Sequence, residues 1–83
     1  MGHQLRGFIQ LYPVKFQPNQ NSDNPFDGED VVSEKPISIA LNTIEMIEEG
    51  FIYTSILMPN GQKFCVRVRL TYDEIRYLIK QAI

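Results

Sequence analysis

Lys63, Arg67 and Arg69 fall at odd positions late in the chain, where the side chains of one strand face would point the same way. Cations in such a row can follow a phosphate backbone, and Arg76 lies a short distance downstream. Tyr53, Tyr72 or Tyr77 would add base stacking if exposed. Against this, the row is short and the formal net charge is −2, which gives no bulk attraction to nucleic acid. Nucleic-acid contact through Lys63, Arg67, Arg69 and Arg76 is therefore the alternative reading.

The acidic residues suggest metal binding and then withdraw the suggestion. Asp23, Asp27, Gly28 and Glu34 occupy the first, fifth, sixth and twelfth positions of an EF-hand loop. Pro25, however, stands where an oxygen ligand is needed, Asp30 replaces the usual apolar eighth residue, and neither flank reads as a helix. A solvated acidic loop is expected, with no metal and no cofactor. His3 is a lone histidine with no nucleophile or orienting acid that can be placed beside it. The pairs Glu48-Glu49 and Asp73-Glu74 are explained by a turn and a helix start. No catalytic residues are assigned, and the protein is not expected to be an enzyme.

These residues are positioned by a hairpin and helix over residues 51–82. Asn60-Gly61 accepts the positive φ of a type I′ turn, and Pro59 suits a strand end. A two-residue loop sets Leu57 opposite Phe64, Ser55 opposite Val66, Tyr53 opposite Val68 and Phe51 opposite Leu70. Phe51, Tyr53, Leu57, Phe64, Val66, Val68 and Leu70 then form the core face. Ile52, Thr54, Ile56, Met58, Lys63, Cys65, Arg67 and Arg69 fall on the other. After the hairpin, Thr71-Tyr72-Asp73-Glu74 spells a capping box. Ile75, Leu78, Ile79 and Ala82 follow as one helical stripe, which is expected to dock on the hairpin core.

Upstream, residues 5–16 are rich in β-formers in both phases and are interrupted by Pro13, which predicts one bent strand or two short ones. Residues 17–36 carry Pro18, Pro25, Pro36, three asparagines and five acids, and read as a flexible acidic loop. Residues 37–41 alternate as a strand. Ile44-Glu45-Met46-Ile47-Glu48 fits either a helical turn or a strand, and Glu48-Glu49-Gly50 turns into the next strand. The expected architecture is mainly β (α+β): a small bent antiparallel sheet or barrel with one C-terminal helix, forming a single domain over residues 1–83.

The stretch from Ile39-Ala40-Leu41-Asn42-Thr43 through Ile44-Glu45-Met46-Ile47-Glu48, with Asn60-Gly61-Gln62-Lys63-Phe64-Cys65-Val66 and Asp73-Glu74-Ile75, resembles the small FlbD-type proteins of bacterial flagellar operons. It is similar, more loosely, to the strand-hairpin-helix pattern of LytTR-type DNA-binding domains. The likeness covers about half the chain. Residues 1–36 have no counterpart in the flagellar pattern, and the spacing from Leu41-Asn42 to Ile44 is shorter. The resemblance implies a β-meander; neither motility nor promoter binding is carried over.

No apolar run is long enough to span a bilayer, and Met1-Gly2-His3-Gln4-Leu5-Arg6 lacks a secretory apolar segment. Cys65 is the single cysteine, so no internal disulfide forms, and a packed small residue in a reducing, cytoplasmic setting is expected. A core this small gains from association. The expected function is a non-enzymatic interaction or assembly module, self-associating or part of a larger complex. Its protein-partner interface is assigned to Ile52, Ile56, Met58 and Tyr12 of the half-apolar second face and the N-terminal strand.

Overall fold

A computed structural model describes residues 7–83. The expectations for His3, for the Met1-Gly2 opening and for Leu5 fall outside the described residues. Among the described residues seven strands precede one helix: β1 (Phe8–Leu11), β2 (Val14–Pro18), β3 (Gly28–Val32), β4 (Ile37–Ala40), β5 (Ile44–Glu48), β6 (Phe51–Leu57), β7 (Lys63–Arg67) and α1 (Tyr72–Gln81). A 3-10 turn, Leu41–Thr43, joins β4 to β5. All pairings are antiparallel: β1 with β4, β2 with β3, and β5-β6-β7 in that order. The chain is thus mainly β with one C-terminal helix, and its sheets do not close into a barrel.

β1 and β2 form one long strand broken at Pro13, as the proline and the double apolar phase require, and β4 and β3 answer it as one bent hairpin. The Ser33 N–H donates to the Pro13 carbonyl at 2.8 Å across the bend. Pro13 also bridges Val68, just beyond β7. On its other side, Val68 donates its N–H to the Gly50 carbonyl at 2.9 Å, and the Gly50 N–H donates to Leu70 at 3.0 Å. The chain past β7 therefore ties the bent hairpin to the three-stranded sheet.

The acidic segment is not a loop throughout. Gln17 and Pro18 belong to β2, and residues 28–32 form β3, with Val31 and Val32 supplying β-branched side chains. The turn-forming residues are gathered at the tip of this hairpin. Asn19 accepts from the Asn21 N–H at 3.1 Å, and Asn24 from the Phe26 N–H at 3.0 Å. The Asn19 N–H closes the tip on the Asp27 carbonyl at 2.7 Å. Asparagine side chains here build turns instead of solvating a free loop.

The β6–β7 hairpin departs from the expected register. The Gly61 N–H donates to Met58 at 2.9 Å, and the Met58 N–H donates to Gln62 at 2.8 Å, so the loop is Pro59-Asn60-Gly61, three residues long. Among the described residues only glycines have positive φ, Gly61 at +84°, which excludes the type I′ geometry at Asn60. Pro59 pre-sets the first central position of a type I turn, and Gly61 takes the left-handed position after it. One extra loop residue reverses which β6 side chains share a face with β7. Leu57 pairs with Lys63, Tyr53 with Cys65, Ile52 with Val66 and Phe51 with Arg67.

Ile52 is therefore 0% exposed and Thr54 1%, whereas Phe51 and Leu57, expected in the core, are exposed, and Tyr53 is half-buried. Val66 and Val68 are buried as expected. The register shifts again between Tyr53 and Leu57, and the Thr54 hydroxyl fills that gap. It donates to the Phe64 carbonyl at 2.7 Å and accepts from the Ile56 N–H at 3.3 Å.

A bulge between Ile44 and Met46 explains the ambiguity of β5. Ile44 pairs with Thr54 and Ile47 with Ile52, so both face inward at a three-residue interval that imitates a helical turn. In α1 the capping box is present: the Glu74 N–H donates to the Thr71 hydroxyl at 3.1 Å and the Thr71 N–H to the Glu74 carboxylate at 3.0 Å. Ile75 and Ala82 enter one core with Ile9, Leu11, Ile39, Ile52, Val66 and Val68, and Leu78 and Ile79 pack on its edge. The expected stripe docks, but on a core drawn from both hairpins.

Candidate functional site

Side chains alternate along β7, so burial of Val66 and Val68 on the helix side turns Lys63, Cys65 and Arg67 to the opposite, outer face. The basic row exists, and each member already holds an anionic or carbonyl partner. The Lys63 ammonium donates to the Glu45 carboxylate at 3.0 Å. Arg67 grips Asp30 with both guanidinium nitrogens, Nη1 to Oδ1 at 3.0 Å and Nη2 to Oδ2. Arg69 donates to the Asp30 backbone carbonyl at 3.0 Å. Arg76 does not join them: it lies on α1, on the core side of the sheet, with its guanidinium 5.9 Å from the centre of the Tyr72 ring.

Asp30 faces Phe16 in the β2–β3 register. The acid that sequence reading placed in a loose loop thus sits on a strand, where its carboxylate pairs with Arg67 and its backbone carbonyl accepts from Arg69, nearly forty residues away. A bidentate carboxylate–guanidinium pair fixes geometry as well as charge. It anchors the bent hairpin across β7.

Of the residues assigned to a partner interface, Ile52 is a correction. It lies wholly inside the chain because of the three-residue loop, and offers no surface. Ile56 is exposed and Met58 half-buried at the end of the β6–β7 hairpin. Tyr12 is exposed elsewhere, at the bend after β1, where it borders a hollow with Val32, Arg69, Leu70 and Leu78.

The outer face instead presents Phe51 and Tyr53, which the expected register put in the core, beside Met46 of β5. Met46 pairs with Tyr53, which pairs with Cys65; Glu48 pairs with Phe51, which pairs with Arg67. Met46 and Phe51 are exposed, and the Phe51 and Tyr53 rings lie 6.2 Å apart with planes inclined by 25°. The cue in the sequence was Pro59 directly before Asn60-Gly61, which favours the longer loop.

Cys65 is exposed, not packed as expected. Partial desolvation, and after it the Glu48 charge, push its thiol above the ordinary range. Tyr53 is raised likewise, first by desolvation, then by a hydrogen bond and charge from Glu48. Neither shift activates a nucleophile, because a raised pKa leaves less anion at neutral pH. The described residues include no histidine and no group of three or more acids, cysteines or histidines able to hold a metal ion. No described helix is long and apolar enough to cross a membrane.

No protein-family model, curated protein or solved structure matches this chain.

Proposed function

We propose that this protein is a non-enzymatic interaction module that binds another protein chain through the outer face of β5-β6-β7. The observation that carries this reading is the exposure of Met46 and Phe51 beside the half-buried Tyr53 on one sheet face. Apolar side chains gathered on one rigid face mark interaction surfaces, and aromatic residues and Met are enriched at interface cores. The charges beside them, Glu45 with Lys63 and Asp30 with Arg67, are already paired and form a polar rim. A lone exposed thiol, Cys65, suits a reducing compartment.

Nucleic-acid binding is the weaker reading. Arg67 and Arg69 would have to leave Asp30, and Lys63 leave Glu45, before either could meet a phosphate. The test is affinity capture from the native host with the wild-type chain and with Phe51→Ser/Tyr53→Ser, both checked for folding by circular dichroism. A protein captured by the first and lost with the second supports the reading. Equal capture by both would reject this surface. Salt-sensitive DNA or RNA binding at low ionic strength, lost in Arg67→Ala/Arg69→Ala, would replace it.

A further inference from the structure

The chain holds five asparagines, and the residue after each decides what its side-chain amide can do. The backbone nitrogen that follows an asparagine can attack the side-chain carbonyl carbon and close a ring, provided that it has a proton to lose and that nothing crowds it. Asn24 precedes Pro25, whose nitrogen carries no proton. Asn19, Asn21 and Asn42 precede Gln20, Ser22 and Thr43, whose side chains stand beside the attacking nitrogen. Asn60 alone precedes a glycine, which has no side chain in the way. Asp27-Gly28 repeats that order with an acid in place of the amide.

We propose that Asn60 is a site of spontaneous covalent modification, which deamidates through a succinimide formed with the Gly61 nitrogen. Both residues are exposed in the loop between β6 and β7, and a Cβ added at Gly61 would meet nothing within 4 Å. The Asn60 Oδ1 accepts from the Gln62 N–H at 2.9 Å. That oxygen gains negative charge as Cγ becomes tetrahedral, so the Gln62 N–H stabilises the intermediate as an oxyanion-hole donor does. The bonds from the Gly61 N–H to Met58 and from the Met58 N–H to Gln62 must open for the attack. They lie in an exposed loop, where local opening costs little. Gly28 is the opposite case. Its backbone is pressed onto β2, where a Cβ would collide with the Gln17 carbonyl and stand 2.8 Å from the Phe16 ring, so it has no room to turn toward Asp27.

In the first step the Gly61 nitrogen bonds to Asn60 Cγ and gives its proton to solvent. The Cγ–Nδ2 bond breaks, and Nδ2 takes up a proton and leaves as ammonia. Water then opens the ring. Attack at Cγ gives aspartate, and attack at the backbone carbonyl carbon gives isoaspartate, in which the chain runs through Cβ and Cγ. Water is the only co-reactant, and nothing is oxidised or reduced. Isoaspartate lengthens the backbone by a carbon inside the loop whose length sets the facing along β6, and either product adds a negative charge there.

The test holds the full chain folded at mildly alkaline pH, beside the same chain held in urea. Peptide mapping by mass spectrometry reads the change from amide to acid at each asparagine, and an isoaspartyl methyltransferase with a labelled methyl donor counts isoaspartate. In the folded chain Asn60 converts first, mainly to isoaspartate, and the converted fraction unfolds at lower urea. Asp27 takes label only in the chain held in urea. Gly61→Ala slows conversion at Asn60 severalfold although it weakens the loop, and does so in urea as well, where folding plays no part. An Asn60 that stays intact in the folded chain while converting in urea overturns the proposal. So does faster conversion at another asparagine, or a rate that Gly61→Ala leaves unchanged.

Discussion

Thr54 is a buried polar residue at a place where the β6–β7 ladder skips. Its hydroxyl serves one acceptor, the Phe64 carbonyl, and one donor, the Ile56 N–H, at that gap. Thr54→Val keeps the shape and strands both groups, so a loss of about 1–3 kcal/mol is expected in urea unfolding. Thr54→Ser, which keeps the oxygen, should lose less; equal losses would mean that packing alone matters. Cys65 and Tyr53 give a second prediction. Their folded pKa values are raised above the ordinary 9.0 and 10.0, so the folded state holds these protons more tightly than the unfolded chain. That contribution is complete below the ordinary values and is lost as pH rises through the raised ones. Unfolding midpoints should therefore fall in alkaline solution, and Tyr53→Phe/Cys65→Ser should flatten the fall. Parallel pH profiles for variant and wild type would count against the assignment.

At the scale of the element, the three-residue loop Pro59-Asn60-Gly61 decides the most. Gly61 has φ +84° and open space around it, so a side chain there meets only backbone strain. Gly61→Ala should cost about 1–2 kcal/mol by chemical denaturation, and an unchanged midpoint would mean the turn tolerates another geometry. The consequence of the loop reaches along the whole of β6, because its length sets which side chains point inward. Ile52→Ala should cost about 2–5 kcal/mol, as a core truncation does, while Leu57→Ala should stay within about 0.5 kcal/mol of wild type. The opposite ranking would restore the two-residue turn. The helix needs no such correction: a capping box and an apolar stripe act over a few neighbouring residues.

Across the whole molecule, three small pairings are joined by a few contacts, and each joint involves residues distant in sequence. Val68 meets Gly50 on one side and Pro13 on the other. Arg67 and Arg69 hold Asp30, and Gly7 donates its N–H to the Ala82 carbonyl at 3.0 Å. The last of these closes the end of α1 onto the start of β1. These joints determine how the surface is divided. Lys63 and Arg67 face the sheet's outer side and are paired with carboxylates there, the apolar Met46 and Phe51 side chains are left open beside them, and α1 packs against the buried side.

Local features could be read from the residues alone because their causes are local. Thr71 and Glu74 specify the helix start, Ile75 to Ala82 its buried stripe, Pro13 the break between β1 and β2, and the alternation of Ile37 and Ile39 the strand β4. Register was different, since a turn one residue longer changes every facing along β6 at little energetic difference in the turn itself. Ile52 went inward and Phe51 and Tyr53 outward for that reason, and the candidate surface moved with them. The partners of Lys63, Arg67 and Arg69 were likewise settled only by folding. Glu45 and Asp30 are far from them along the chain, and only antiparallel pairing and the bend at Pro13 bring such opposite charges within reach.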